Sequence, residues 1–162
     1  INNAKKFFAD EGYDYTIGIG GPKKRKDIFK QFSEIGGKLL SVISSNADIG
    51  HFNTTIEAGC IVTSGVKIMN DVKIEKACII NLNSTISHDS SIGEFSEICP
   101  NVNITGNCKV GSNVFIGTNA TILPKIKIGS NSIIGAGSVV TKNIPKNVLA
   151  FGVPAKIIKS IK

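Results

Sequence analysis

Aliphatic residues recur in this chain with a period of six. Every sixth residue from Ile56 to Val140 is Ile or Val, without exception over fifteen positions. An α-helix repeats every 3.6 residues and a β-strand every two, so neither alone generates this period. A repeating hexapeptide is typical of a parallel β-helix, in which each hexad forms one side of a coil. The pattern therefore predicts a mainly β fold of stacked coils.

A second row of inward positions, four residues after each aliphatic, is mostly small, which suits a tight corner. Three hexads make one triangular coil, so the fifteen hexads predict about five coils and a prism roughly 24 Å long at the usual strand spacing. We assign residues 49–146 to this β-helix domain. A β-sandwich is the alternative. Its turns vary in length, so the register would slip within a few strands.

The first 48 residues lie outside this repeat and are expected to form a small domain of their own. A helix is predicted near Asn3–Phe8, a strand over Tyr15–Gly20, a helix over Pro22–Ile35 and a strand over Leu39–Ile43. This order predicts a β-α-β unit. Such a unit is too small to stand alone, and the chain begins with Ile, so we expect that an upstream strand and loop are missing. Gly20 lies between strand and helix, where open α/β sheets bind ligands.

The formal net charge is +7, and a basic surface can attract nucleic acid, anionic membranes or phosphate-rich small molecules. Scattered lysines favour a merely solvated surface. Neither a signal peptide nor an apolar run long enough for a membrane span is evident, which predicts a cytoplasmic protein. Cys60, Cys78 and Cys108 fall on small inward positions and are expected to be buried, whereas Cys99 falls beside one and is expected to be exposed.

The two histidines, His51 and His88, are too few for a three-histidine zinc site within one chain. One coil of 18 residues separates His88 from Gly106, and two more coils lead to Lys142 on the same edge. A histidine stacked on a glycine leaves room for a ligand beside a bare backbone N–H. A general base next to an amide donor is the minimum equipment for acyl transfer. The alternative is a surface histidine that faces water; the nearby Asp89 and Asn81 favour the functional interpretation.

The C-terminal segment from Ile134 to Lys156 resembles the end of bacterial hexapeptide acyltransferases. Ser87–Asp89, Ile104–Asn107 and Ile122–Gly129 narrow the resemblance to the sialic-acid O-acetyltransferase family, which includes UDP-4-amino-sugar N-acetyltransferases. The resemblance implies a trimeric, left-handed parallel β-helix that uses acetyl-CoA and no metal, preceded by a Rossmann-like domain that binds a sugar nucleotide. The general preference for right-handed crossovers would favour the opposite hand. Residues 147–162 would form a tail on the coenzyme side.

The resemblance also implies roles for individual residues. His88 would be the catalytic base, Asp89 would raise its basicity, and Asn81 would be a polar residue near it. The backbone N–H of Gly106 would face the thioester oxygen. The remaining implied contacts are with the coenzyme arm at Gly135, Ala136 and Gly137, with its phosphates at Lys142 and Lys156, and with the sugar nucleotide at Gly20.

The leading hypothesis is therefore an acetyl-CoA-dependent N-acetyltransferase of a nucleotide-linked amino sugar in bacterial glycan biosynthesis, with direct transfer in active sites between subunits. A sialic-acid or other sugar O-acetyltransferase is the alternative within the family. Outside it, the alternatives are a non-catalytic scaffold or ice-binding β-helix and a zinc-dependent hydratase. Irregular Thr placement and the coenzyme-type tail disfavour the scaffold. One departure is that the family's opening Gly-rich strand and loop has no counterpart in this sequence.

Overall fold

The computed structural model describes residues 2–161 as a small N-terminal α/β unit packed on a β-solenoid. The helices and strands are α1 Asn2–Glu11, β1 Asp14–Tyr15, α2 Pro22–Glu34, β2 Lys38–Leu39, β3 Val42–Ile43, β4 Asp48–Ile49, β5 Thr55–Ile56, β6 Ile61–Val62, β7 Lys67–Ile68, β8 Lys73–Ile74, β9 Ile79–Ile80, β10 Thr85–Ile86, β11 Ser91–Ile92, β12 Glu97–Ile98, β13 Asn103–Ile104, β14 Lys109–Val110, β15 Phe115–Ile116, β16 Thr121–Ile122, β17 Lys127–Ile128, β18 Ile133–Ile134, β19 Val139–Val140, β20 Val148–Gly152 and β21 Ala155–Ser160. No helix in this part of the chain is long and apolar enough to cross a membrane.

The solenoid has three faces, each a parallel sheet. The first face contains β3, β6, β9, β12, β15, β18 and β20, with β21 added antiparallel; the second contains β4, β7, β10, β13, β16 and β19; the third contains β5, β8, β11, β14 and β17. Successive hexads occupy successive faces, so a residue pairs with the one 18 positions later, as Ile86 does with Ile104. The aliphatic row points inward, and from Val62 to Val140 each of its members is at most 3% exposed.

The solenoid has about six turns, one more than the sequence predicts. Strands β3 and β4 already belong to its first and second faces. Ile43 pairs with Val62 and Ile49 with Ile68, at a spacing of 19, whereas Ile56 pairs with Ile74 at 18. One extra residue between Ile49 and Ile56 breaks the period, and a strict count of six therefore begins a turn too late.

The N-terminal unit agrees with the sequence in its helices and differs in its strands. Both predicted helices are confirmed, and β1 pairs in parallel with β2 across α2. The predicted strand over Tyr15–Gly20 is wrong beyond Tyr15: Ile17 is buried, but Ile19 is 43% exposed and the chain turns into α2. The predicted strand Leu39–Ile43 is divided, with β2 in this unit and β3 in the solenoid.

Left-handed corners recur as regularly as the core. Every sixth residue from Gly59 to Gly137 has a positive φ. Most of these residues are Asn, Asp or Gly, which adopt this conformation at little cost. The exceptions are Ala77, Phe95 and Lys125, with φ of 56°, 58° and 65°.

Two of these exceptions mark where the N-terminal unit is seated. Ala77 and Phe95 are each 1% exposed and form a cluster with Ile17 and Leu39 of the N-terminal unit. Phe29 of α2 packs on the Phe95 ring with centroids 5.4 Å apart. Burial of the corner side chains offsets the strain of their backbone. The N-terminal unit thus covers the edge between the third and first faces.

Candidate active site

His88 lies on the edge between the second and third faces, in the turn that follows β10. Gly106 occupies the equivalent position one coil further on. A Cβ placed on Gly106 would come within 2.7 Å of His88 Nε2 and 2.8 Å of its Cε1. The imidazole therefore lies directly against the bare glycine, as the 18-residue spacing predicts.

Asp89 fixes which nitrogen of the ring is available. His88 Nδ1 lies 2.7 Å from Asp89 Oδ2. A carboxylate only accepts hydrogen bonds, so Nδ1 carries the proton and Nε2 is left with a free lone pair. The tautomer that results presents its basic nitrogen toward Gly106. The His88 side chain is 58% exposed, so the site is open on its outer side.

The backbone N–H of Gly106 can donate a hydrogen bond to a ligand because the hydrogen bonds between coils do not use it. At most corners the left-handed residue donates to the preceding coil, as Asn107 does to the His88 carbonyl at 2.9 Å. The residue just before it has no such backbone partner in residues 2–161, and Pro100 and Pro124 occupy this position. Some residues at this position donate to a side chain instead, as Ser112 does to Ser130 Oγ, whereas the Gly106 N–H has no partner in the described chain. A free amide N–H beside a basic nitrogen is the combination that acyl transfer requires.

The predicted coenzyme contacts at Gly135, Ala136 and Gly137 lie on a different edge, between the first and second faces. Gly135 N–H donates to the Ala150 carbonyl at 2.9 Å, and Gly137 N–H donates to the Thr118 carbonyl at 2.8 Å. Only the Ala136 N–H, at the same corner position as Gly106, is without a partner in the described chain. If this edge contacts a ligand through its backbone, Ala136 supplies the donor.

The structure separates the other predicted residues. Asn81 lies beside the edge between the first and second faces, and its Nδ2 donates to the Ile98 carbonyl at 3.1 Å, so it does not contact His88 within one chain. Lys142 is exposed on the His88 edge, three coils away. Lys156 is exposed on β21. A single prism therefore brings together His88, Asp89 and Gly106 and leaves the rest elsewhere.

Gly20 lies in the loop before α2, and a residue that the sequence analysis missed holds this loop. Glu97 Oε2 accepts a hydrogen bond from Gly21 N–H at 2.6 Å, and a Cβ on Gly20 would come within 3.1 Å of Glu97 Oε1. Arg25, also on α2, is 1% exposed, with Nε and Nη1 lacking partners in the described residues. Burial lowers the pKa of Arg25, and the carboxylate of Glu97 acts in the opposite direction. The start of α2 thus already contacts a carboxylate from the solenoid.

A groove of about 710 Å³ opens beside this loop, between α2 and the first face. Lys23 and Lys26 line one side, and Phe115 and Ile133 line the other. The groove combines the two cationic groups with one carboxylate, that of Asp27, and an apolar wall. This combination suits an anionic ligand that also carries a ring system.

The cysteines are all buried, including Cys99, which is 9% exposed. The prediction that Cys99 is exposed is therefore wrong, because its position beside the corner is covered by the neighbouring coil.

Comparison with known proteins agrees with this architecture. Residues 107–142 match the family described as bacterial transferase hexapeptide (six repeats). A search of curated protein sequences finds no significant match. The chain is similar to perosamine N-acetyltransferase from Caulobacter crescentus, with a TM-score of 0.95 and 28% sequence identity over 98% of this chain and 75% of the other. That structure contains CoA and GDP-perosamine and is of a variant in which asparagine replaces a histidine.

Two further solved structures are similar. WeeI from Acinetobacter baumannii has a TM-score of 0.86 at 29% identity, over 90% of this chain and 70% of the other. The acetyltransferase domain of PglB from Neisseria gonorrhoeae, in complex with acetyl coenzyme A, has a TM-score of 0.86 at 28% identity over the same shares. The repeat, the match of residues 107–142 and these neighbours agree in showing the fold of hexapeptide-repeat acyltransferases.

Proposed function

We propose that this protein is an acetyl-CoA-dependent N-acetyltransferase that acts on a nucleotide-linked amino sugar in bacterial glycan biosynthesis. The observation that carries the proposal is the His88–Gly106 pair. It joins an oriented Nε2 lone pair to a free backbone N–H on an open edge. The solved neighbours that bind CoA with GDP-perosamine, or acetyl coenzyme A alone, support the choice of donor and acceptor.

The residues divide the chemistry between them. His88 Nε2 accepts a proton from the acceptor amine as its nitrogen forms a bond to the acetyl carbon. Gly106 N–H donates a hydrogen bond to the carbonyl oxygen, which gains negative charge as the amine attacks. The C–S bond then breaks, and the imidazolium returns the proton to the departing thiolate. Asp89 stabilises the imidazolium through Nδ1.

The space for the thioester exists only because residue 106 has no side chain. A Cβ there would overlap the imidazole. Since a thioester is already activated, a positioned base that contributes roughly 10²–10⁴-fold is sufficient catalysis. The residues present therefore fit direct transfer.

For the sugar nucleotide we propose the groove beside Gly20 and Gly21. Lys23 and Lys26 would attract the diphosphate, and Phe115 would contact the base. We regard the N-terminal unit as the later part of a Rossmann-like domain, and we carry over the left-handed winding of the coil from the resemblance. In this arrangement the unit holds the acceptor and the solenoid performs the transfer.

We further propose a cytoplasmic homotrimer whose active sites lie between subunits. His88 and Ala136 lie on different edges of one prism, so one long coenzyme can contact both only if two prisms stand side by side. The exposed His88 edge of one subunit would then face the Ala136 edge of the next.

The test is a thiol-release assay with acetyl-CoA and a panel of acceptors. The panel contains UDP- and GDP-linked 4-amino sugars, their 4-hydroxy counterparts and free sialic acids. We expect release only with an amino sugar, and a product heavier by one acetyl group in mass spectrometry. Release only with hydroxyl acceptors would contradict N-acetylation. No thermal stabilisation by acetyl-CoA at millimolar concentration would instead favour a non-catalytic solenoid.

A further inference from the structure

Charge is distributed very unevenly along this chain. All twelve Asp and Glu residues lie at or before Glu97. The rest of the chain has no acidic residue and contains Lys109, Lys125, Lys127, Lys142, Lys146, Lys156, Lys159 and Lys162. The positive charge of the protein is therefore concentrated in the last coils of the solenoid and the segment that follows.

Two of these lysines are direct neighbours. Lys109 on β14 pairs with Lys127 on β17, on the outer side of the third face. Parallel strands are about 4.8 Å apart, so two like charges lie side by side, an arrangement that destabilises a sheet. Lys73 lies on the same face two coils earlier, where Glu57 and Glu75 approach it at 3.5 and 3.4 Å. Among residues 2–161, no carboxylate forms an ion pair with Lys109 or Lys127.

Both lysines line a groove of about 480 Å³. Its floor includes Gly111 and Gly129, where a side chain would collide with the backbone of the next coil. Asn143, which lies beside Lys127 on the third face, also lines the groove. The groove therefore lies across the third face, one to two coils from His88, and extends from the two lysines toward the edge between the third and first faces.

The polar groups of this groove are suited to donate hydrogen bonds. Asn143 Oδ1 already accepts from Lys127 N–H at 2.8 Å, which leaves its Nδ2 to donate. Ser130 Oγ accepts from Ser112 N–H at 3.1 Å, which leaves its hydroxyl proton. Two ammonium groups, an amide and a hydroxyl select a ligand with several acceptor oxygens and negative charge.

We propose that Lys109 and Lys127 form a binding site for an organic phosphate on the third face, which borders the active-site edge. One phosphate or diphosphate group bridges the two ammonium groups and removes their repulsion. If the phosphate belongs to the coenzyme, the site positions the thioester toward His88, and this part rests on the proposed function. If it belongs to a nucleotide, the site holds the acceptor.

The test is isothermal titration calorimetry of the full chain with CoA, UDP, GDP and phosphate-free pantetheine as probes. The variant is Lys109→Gln/Lys127→Gln, which removes charge but keeps an extended polar side chain. The control is Lys73→Gln, on the same face but outside the groove. Lys109→Arg/Lys127→Arg should retain binding because it keeps both charges.

We expect the double Gln variant to lose at least about tenfold in affinity for one phosphate probe and nothing for pantetheine. Lys73→Gln should bind all probes like the unmodified protein. Loss for CoA assigns the site to the coenzyme; loss for UDP or GDP assigns it to the nucleotide. Because removal of the repulsion should not lower the melting temperature, an unchanged or higher value shows that the fold is intact.

The results also distinguish this proposal from the proposed function. An unmodified protein that binds UDP or GDP but not CoA would contradict the coenzyme role while leaving the phosphate site to be judged by the Gln variant. Unchanged affinity of the double Gln variant for every phosphate probe, or no phosphate binding by the unmodified protein, overturns the phosphate site.

Discussion

Gly106, which has no side chain next to the His88 imidazole, is the residue of the site that is most sensitive to substitution. In Gly106→Ala the new Cβ would meet His88 Nε2, so the ring must move or the carbonyl oxygen must lose its place. We expect kcat/KM to fall by roughly 10²-fold, since small misplacements of catalytic groups cost about this much. The measurement is steady-state thiol release. Gly18→Ala is the control because nothing lies within 4 Å of a Cβ there; equal losses in both variants would contradict the steric argument.

Burial also makes the ionisation of Cys99 depend on folding. Burial raises the pKa of the Cys99 thiol from its ordinary 9.0 to about 11. The unfolded thiol therefore ionises first as the pH rises, and folding stability is lost between about pH 9 and 11. In Cys99→Ala we expect the free energy of unfolding, measured by urea titration across this range, to decline less steeply. Parallel pH profiles for both proteins would show that Cys99 is not the source.

At the scale of the element, the sequence predicts the repeat well because each hexad carries its own inward aliphatic. It predicts the number of turns less well, since one inserted residue before Ile56 hides two strands. The separation of Asn81 from His88 also follows from the coil: seven residues span more than one side of the triangle. The contact of Glu97 with Gly21 could not be predicted, because it depends on how two units are packed.

The residues at the left-handed corners of the coils nevertheless indicate where the N-terminal unit packs. The positions that adopt positive φ are almost all Asn, Asp or Gly, and Ala77 and Phe95 break the rule where α2 and its neighbours cover them. Lys125 breaks it at an exposed corner. Apolar residues in a row of left-handed corners thus indicate a covered edge.

The same substitution at two corners tests this interpretation. Lys125→Asn should raise the free energy of unfolding by about 0.5–1 kcal/mol, because Asn tolerates the left-handed conformation and the lysine makes no buried contact. Phe95→Asn should lower it by about 3 kcal/mol or more, because the buried ring is lost. Both free energies of unfolding are to be measured by urea titration. A stabilising Phe95→Asn would mean that strain, not docking, dominates at this corner.

At the scale of the whole molecule, the position of Ala136 on a second edge predicts an active site shared between subunits. Ala136→Pro removes the free N–H in a backbone position that Pro100 and Pro124 already occupy. His88→Ala and Ala136→Pro should each be inactive alone. After both are unfolded and refolded together, mixed trimers should regain part of the activity in the thiol-release assay.

Assembly itself is measured by sedimentation equilibrium. With a chain of 17.1 kDa, we expect a species of about 51 kDa. A monomer that is fully active, or mixed subunits that never regain activity although they form trimers, would contradict a shared site.

The most direct test of the account is the turnover of His88→Asn with the amino-sugar acceptor that the panel identifies. Asn preserves a polar side chain but cannot accept the proton. We expect kcat to fall by roughly 10²–10⁴-fold while the melting temperature and the affinity for CoA stay unchanged. A variant that turns over at the rate of the unmodified enzyme would contradict it.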